Sequence, residues 1–399
     1  MNSGIEKLQP YPFEKLADLF SQAGRNAGLP PINLSIGEPK HDTPAFILET
    51  LSRSLSGSAN YPKTRGSDEL RETIKNWLVQ RFELPGNSLD INTNIIPVNG
   101  TREALFSFCQ CLIDTRKNNP LVLSGNPFYQ IYEGAAWLAG ATPIHINCDS
   151  DADFAISYDS VSEENWKDCQ LLYLCSPNNP TGNVCSLETY KLLFELAEEY
   201  DFVIAADECY SEIYLDESTP PIGLLQAAKL AGIENYQRCV VFHSLSKRSN
   251  VPGIRSGFVA GDANLLNSYF KYRTYQGCAM APFIQQASIV AWQDEEHVKE
   301  NRRLYCEKFD KVSAILQPVM NIDIPAATFY LWPETPIADD KFALELFQQQ
   351  NVTVLPGSYL SRQVGGRNPG ANRIRMALVA SLAECEEAGY RIRNYINSI

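Results

Sequence analysis

Lys247 sits in His243-Ser-Leu-Ser-Lys-Arg-Ser-Asn-Val-Pro-Gly-Ile-Arg-Ser-Gly257, directly after an apolar run, Cys239 to Phe242, that reads as a buried strand. Two hydroxyls, Ser244 and Ser246, flank Leu245 ahead of the lysine, and a second cation, Arg255, follows eight residues on. A side chain at the end of such a strand faces the crevice where open sheets bind ligands. An amine that loses its proton readily forms a Schiff base with an aldehyde, while two hydroxyls and a guanidinium suit a phosphate. Alone, Ser-x-Ser-Lys is more often a solvated loop, so the reading depends on the rest of the chain.

Pyridoxal phosphate carries both an aldehyde and a phosphate, and the chain holds candidates for its other contacts. Ile95-Ile-Pro-Val-Asn-Gly-Thr-Arg-Glu reads as strand, glycine turn and helix, so Gly100, Thr101 and Arg102 bring free N–H groups and the positive end of a helix dipole to one point. The strand Leu121 to Ser124 runs into Gly125-Asn-Pro-Phe-Tyr, where Tyr129 or its neighbour Phe128 suits a lid over a flat ring. Gln170 to Cys175 ends in Ser176-Pro-Asn-Asn-Pro-Thr-Gly, with two asparagine amides at the mouth of the sheet. Phe202 to Ala206 is apolar throughout, as a central parallel strand is, and ends in Asp207-Glu-Cys-Tyr210. A carboxylate there is expensive to bury unpaired. Asp207 opposite a protonated pyridine nitrogen removes that cost and keeps the ring cationic, with Glu208 the competing carboxylate. In Asn372-Arg-Ile-Arg-Met-Ala-Leu-Val, an arginine is either an edge-strand ion pair or a buried anion clamp. Arg375 directly precedes the apolar run, and Arg373 is the alternate.

Ser244-Leu-Ser-Lys followed by Gly253-Ile-Arg-Ser-Gly257 resembles the attachment-site signature of the class I and II aminotransferases. Asn179-Pro-Thr-Gly, Asp207-x-x-Tyr210 and Tyr61-Pro-x-x-x-Gly66 resemble further motifs of that family, in its order, over roughly 340 residues. The resemblance implies a role for each residue. Lys247 forms the Schiff base and serves as general base and acid. Gly100, Thr101, Arg102, Ser244, Ser246 and Arg255 hold the phosphate, joined by Tyr61 of a neighbouring subunit, which makes the site a property of a homodimer. Tyr129 covers the ring, Asn179 and Tyr210 reach its phenolic oxygen, and Asp207 pairs with its nitrogen. Arg375 grips the substrate α-carboxylate bidentately, with Gly37 of Leu34-Ser-Ile-Gly-Glu-Pro and Asn179 beside it. No metal is implied.

The implied fold is α/β, the pyridoxal-phosphate-dependent transferase fold type I. It has a large domain with a mostly parallel seven-stranded sheet (46–290) and a small α+β domain made of both chain ends (1–45 and 291–399). The implied reaction exchanges an amino group between an amino acid and a 2-oxo acid, with glutamate and 2-oxoglutarate as one pair. The longer string through Phe258-Val-Ala-Gly-Asp262, with Arg375-Met-Ala-Leu-Val-Ala380, is similar to the succinyldiaminopimelate aminotransferases of lysine and diaminopimelate biosynthesis. These act on N-succinyl-L,L-diaminopimelate and 2-oxoglutarate; Arg25, Lys63, Arg248 and Arg273 are candidates for the distal succinyl carboxylate. Alternatives on the same scaffold are aspartate, alanine or aromatic aminotransferases, lyases of the aminocyclopropane-carboxylate synthase kind, and cofactor-sensing transcription regulators.

Composition narrows these. The chain has 399 residues, 44% hydrophobic and 20% charged, enough for two domains. A net charge of −13 argues against a broad nucleic-acid or anionic-membrane face and hence against the regulator. Eleven scattered cysteines form neither a Cys-x-x-Cys zinc spacing nor a dense disulfide framework. Met1 to Pro12 lacks a basic segment with an apolar run behind it, and no apolar stretch approaches the roughly 20 residues of a membrane helix, so the chain is expected in the cytoplasm with reduced thiols. Around the motifs, amphipathic spacing predicts helices over Tyr11–Ala27, Ser67–Phe82, Leu187–Tyr200, Trp292–Leu316, Asp340–Gln350 and Leu382–Ile396. Short strands are predicted at Gly257–Ala260, Thr328–Trp332 and Arg373–Val379.

Overall fold

In the computed structural model, which describes residues 1–148 and 150–399, the strands that precede the motif residues lie in one seven-stranded sheet. Across the sheet they run Ile95–Val98, Gly257–Gly261, Cys239–Ser244, Val203–Asp207, Cys169–Cys175, Leu121–Asn126 and Thr142–Asn147. All neighbours are parallel except the two pairs made by Gly257–Gly261. Register gathers the chemistry. Cys175 stands opposite Asp207, and Asp207 opposite Phe242, two residues before Ser244, so carboxylate and lysine turn leave the same edge.

The central strands read as continuous apolar runs because both faces are covered. Leu172, Leu174, Ile204, Ala206 and Val241 pack into one core, and Leu171, Tyr173, Val203, Ala205, Val240 and Phe242 into the other, as period-two alternation requires. Each large side chain so buried contributes about 1.5–3 kcal/mol. The result is a sheet packed on both faces whose polar residues collect at the strand ends.

Helices Leu187–Tyr200 and Leu382–Ile396 keep their expected bounds, each opened by a serine, Ser186 or Ser381, that accepts the third helical N–H. Elsewhere the expectations need correction. The first helix spans Pro12–Phe20 and stops well short of Ala27; the Asn26 side chain instead ties the chain to Gln349 O and Gly28 N. The single helix expected over Trp292–Leu316 is two, Pro282–Gln293 and Glu296–Leu316. Asp294 accepts from His297 N (3.0 Å), and buried Arg248 donates to the carbonyls of Ala291 (2.6 Å) and Asp294 (3.1 Å), closing one helix as the next opens. Thr142–Asn147 is a strand that the sequence reading omits, because Pro143 and His145 break its apolar pattern at the sheet edge. The last two expected strands narrow to Tyr330–Leu331 and Ile374–Ala377.

Both chain ends build the remaining body. Ile32–Asn33 pairs parallel with Val352–Thr353, and Ile374–Ala377 lies between Leu355–Pro356 and Tyr330–Leu331 in an antiparallel sheet. Ile32 and Leu34 share a core with Phe309, Leu346, Met376 and Ile392, whereas Ile47 packs in the core of the large sheet with Ile289. That partition supports the division we propose, 1–45 with 291–399 around 46–290. We place the second boundary just past 290, at Asp294 and Glu295 between the two helices. Among the described residues no helix is long and apolar enough to cross a membrane.

Candidate active site

A cavity of about 540 Å³ opens at the sheet edge where Asp207 and the lysine turn emerge. Of the residues given a cofactor or α-carboxylate role, all but Gly100 and Tyr61 line it, together with Tyr11, Cys175, Cys209 and Tyr330. Lys247 lies in a one-turn helix, Leu245–Arg248, that begins where Cys239–Ser244 ends. Ser244 Oγ accepts from Ser246 N (3.1 Å) and donates to Ser256 O (3.1 Å), fixing the turn. The Lys247 ammonium donates to the Gly37 carbonyl at 2.5 Å. Burial, above all, brings it down from 10.5 to about 8, so a neutral, nucleophilic amine is available near neutral pH.

Across from the lysine, Gly100 caps the helix Thr101–Leu112 at φ +86°, leaving the N–H groups of the first turn without intrahelical acceptors. A Cβ at Gly100 would stand 2.3 Å from Arg255 Nη2, so the glycine makes room for that guanidinium. Arg255 itself adopts φ +56°, a left-handed conformation costing a side-chain residue about 1–2 kcal/mol, and among the described residues its side chain bonds only to Pro252 O (2.8 Å). Together with the Ser246 and Thr101 hydroxyls, and with that of Ser244 once its one proton turns from Ser256 O, it forms a donor set for a phosphate. The Arg102 side chain turns away from that set: Nε donates to the Tyr129 hydroxyl (2.6 Å), and the guanidinium lies over Tyr11. Its contribution to a phosphate is therefore its main-chain N–H.

Asp207 is buried, and burial raises its carboxyl above the usual range. Tyr132 donates to Oδ2 (2.8 Å) and Cys209 N to Oδ1 (3.3 Å), but among the described residues no cation pairs with it. A buried carboxylate facing a cavity without a counter-charge fits a protonated pyridine nitrogen. Glu208 is occupied elsewhere, accepting from Leu224 N (2.7 Å) beside His243 (3.0 Å). Of the two aromatic candidates, Tyr129 lines the cavity, whereas Phe128 stacks on His145 at 4.1 Å in the core. The Tyr210 hydroxyl bonds that of Tyr330 (2.8 Å) at the cavity wall. The donor set, the Arg255 guanidinium that Gly100 makes room for and the uncompensated Asp207 all fit pyridoxal phosphate.

Arg375 is 4% exposed. It donates to Asn179 Oδ1 (3.0 Å) and Ser35 O (2.7 Å), lies 4.5 Å from the Tyr330 ring centre, and keeps its buried Nε without a hydrogen-bond partner among the described residues. A carboxylate in the cavity would complete it. Arg373 instead pairs with Glu334 (2.8 Å) and donates to Trp332 O (2.9 Å), outside the cavity. Gly37 is obligatory in another way, since a Cβ there would meet Tyr330 Oη at 1.9 Å.

None of the four distal-carboxylate candidates lines the cavity. Arg248 is committed to helix ends, and Arg273 holds Glu103 (2.9 Å), whose carboxylate accepts from Asn99 N (3.0 Å). Arg25 and Lys63 are exposed elsewhere. Tyr61 is fully exposed, and within one chain it does not reach the cavity. The sequence reading misses Tyr330, Tyr132 and Tyr11; only the Tyr129-x-x-Tyr132 spacing, one helical turn apart, offers a signal for any of them.

A family model for aminotransferase class I and II matches residues 30–392. The chain is 30% identical over 396 residues to the LL-diaminopimelate aminotransferase of Maridesulfovibrio salexigens, covering 97% of each. A crystal structure of an aminotransferase from Neisseria meningitidis aligns with a TM-score of 0.95 at 46% identity, over 99% of this chain and 100% of that one. A Thermus thermophilus structure described as a "probable N-succinyldiaminopimelate aminotransferase" aligns at 0.84 with 26% identity, over 96% and 99%. With that match spanning nearly its whole length, the chain belongs to the class I and II aminotransferases, pyridoxal-phosphate-dependent enzymes acting on amino acids and 2-oxo acids.

Proposed function

We propose that this aminotransferase moves the amino group of N-succinyl-L,L-diaminopimelate to 2-oxoglutarate. The observation that carries the reading is that, beside the Arg255 assigned to the phosphate, two further guanidinium groups line the cavity with no acidic partner among the described residues: Arg375, buried with its Nε unpaired, and Arg102, held by Tyr129 and Tyr11. Two cations in one cavity suit a substrate with a carboxylate at each end. The name carried by the M. salexigens relative favours a second reading, in which L,L-diaminopimelate without the succinyl group is the donor.

Bound pyridoxal phosphate supplies an aldehyde that exchanges amines and a ring that takes up electrons. In this reading Arg255, Ser244, Ser246, Thr101 and the N–H groups after Gly100 hold its phosphate. Tyr129 covers the ring, Asp207 holds a proton on its nitrogen, and Asn179 and Tyr210 donate to its phenolic oxygen. Lys247 would hold the cofactor through its amine and, once free, would move the proton that leaves the substrate α-carbon. Its lowered pKa lets it accept that proton near neutral pH. Arg375 fixes the α-carboxylate, with Gly37 and Asn179 beside it, so the α-hydrogen points at Lys247. We further propose a homodimer in which Tyr61 of each chain reaches the other's phosphate, consistent with its full exposure here.

The test is a donor panel with 2-oxoglutarate as acceptor. N-succinyl-L,L-diaminopimelate is expected to give the highest kcat/KM, ahead of L,L-diaminopimelate, aspartate, alanine and phenylalanine. A higher value for unsuccinylated diaminopimelate would establish the second reading; one for aspartate or alanine would overturn both.

A further inference from the structure

One short segment holds Lys247 at both ends. The ammonium donates to the Gly37 carbonyl, and four residues on, His41 acts on the Lys247 main chain through Asn301 of the helix Glu296–Leu316. Asn301 Nδ2 donates to the Lys247 carbonyl (3.2 Å), while its Oδ1 accepts from Asn250 Nδ2 (3.1 Å) and lies 2.7 Å from His41 Nδ1. A carbonyl only accepts, so it fixes the amide's orientation, and the amide in turn fixes the His41 proton on Nδ1. His41 Nε2 is then the acceptor for Lys308 Nζ at 2.6 Å.

Lys308 is 3% exposed and forms no ion pair among the described residues. It also donates to Val379 O (3.4 Å), two residues past the strand that carries Arg375. The same strap touches Arg375 at its other end, where Ser35 O accepts from Nη2. A buried ammonium without a counter-charge lowers stability relative to an apolar side chain of its size. Its presence here therefore calls for a role other than stability.

We propose that Asn301 is a positioning residue: oriented by His41 and Lys308, it sets the lysine turn against the Arg375 strand and so fixes the distance from the Lys247 amine to the substrate α-carbon. The proposal rests on Lys247 as the reacting amine and Arg375 as the carboxylate clamp. It extends that reading to a relay of three side chains outside the cavity.

Asn301→Leu keeps the volume and removes the amide. A misplacement approaching 1 Å costs up to about 100-fold, so kcat is expected to fall roughly 10- to 100-fold. KM for the donor stays within about twofold, because Arg375 and the cavity wall are untouched. In the cofactor-free protein, amide hydrogen exchange over residues 248–250 accelerates by roughly tenfold or more. Lys308→Met lowers kcat in the same direction but less, and the double variant loses no more than Asn301→Leu alone, since both act through one chain of contacts. Parental kcat in Asn301→Leu, or losses that multiply in the double variant, would overturn the proposal. If Asn301→Leu fails to fold, Lys308→Met decides alone: a lowered kcat at unchanged KM supports the relay, and parental kcat refutes it. Lys247→Ala, run alongside, tests the underlying reading. Transamination by that variant removes the reacting lysine itself, whereas an inactive Lys247→Ala beside a fully active Asn301→Leu removes only the positioning role.

Discussion

Replacing Gly100 with alanine separates phosphate binding from the chemistry. Gly100 sits at φ +86° and ψ 153°, a region that a side chain enters at a cost of about 1–3 kcal/mol. The new Cβ would lie 2.3 Å from Arg255 Nη2 and 2.8 Å from its Cζ, far inside contact distance. Because the atoms met are the far end of a flexible side chain, the guanidinium swings out and leaves the phosphate. Losing one hydrogen bond between charged groups costs about 1.5–3 kcal/mol. At 1.4 kcal/mol per decade, that is roughly a 10- to 150-fold rise in the Kd of pyridoxal phosphate. Titrating the cofactor-free variant with pyridoxal phosphate, followed by visible absorption, reads this term. The Tm of the cofactor-free protein reads the backbone term separately. At saturating cofactor, kcat should stay within about threefold of the parent. A parental Kd in Gly100→Ala would refute the assignment of the phosphate to Arg255 and this glycine turn.

Arg375→Lys loses the bidentate fork and should lower kcat/KM by about 30- to 1000-fold for every donor alike, whereas Arg373→Lys should change it little; steady-state kinetics over the donor panel decides. Asp207→Asn should lower kcat by about 100-fold or more, because an amide cannot hold the ring nitrogen protonated; single-turnover rates check this. Mixing the weakened Lys247→Ala and Tyr61→Ala chains should restore activity, since each mixed dimer contains one intact site; no recovery under demonstrated subunit exchange would put Tyr61 outside its neighbour's site. Lys247 titrates at about 8 in the folded cofactor-free protein against 10.5 as an ordinary lysine. Between those values only the unfolded chain holds the proton, so its contribution to stability rises with pH across that window. The Tm of the cofactor-free parent, measured relative to Lys247→Met, should climb from about pH 8 to 10.

Most of the site was legible because its parts are strand ends, where an apolar run gives way to a few polar residues whose types are hard to explain by packing. Asp207 after Val203–Ala206 and Lys247 after Cys239–Phe242 are of this kind, and the register brings both to one edge. The choice of Arg375 over Arg373 rested on the apolar run that directly follows it and not on strand alternation. Residues two apart on a strand share a face, so alternation treats them alike; Glu334, remote in sequence, captures Arg373 and leaves Arg375 to the cavity. Phe128 and Tyr129 likewise separate only once His145, on a strand with no clean pattern, offers its ring to Phe128. Arg248 and Arg273 look like free cations in sequence, yet the helix ends and the Glu103 carboxylate they satisfy come from distant segments. The break at Asp294 and Glu295 escaped for the same reason, since what closes the first helix is Arg248, far back in the chain.

The central claim is that Lys247 carries the cofactor. Reduction of the purified, cofactor-loaded protein with borohydride, followed by proteolysis and mass spectrometry of the peptides, tests it directly. The visible absorption should vanish, and the phosphopyridoxyl group should be found on Lys247 alone. A modified lysine elsewhere, such as the similarly depressed Lys308, or no covalent modification at all, would contradict the account.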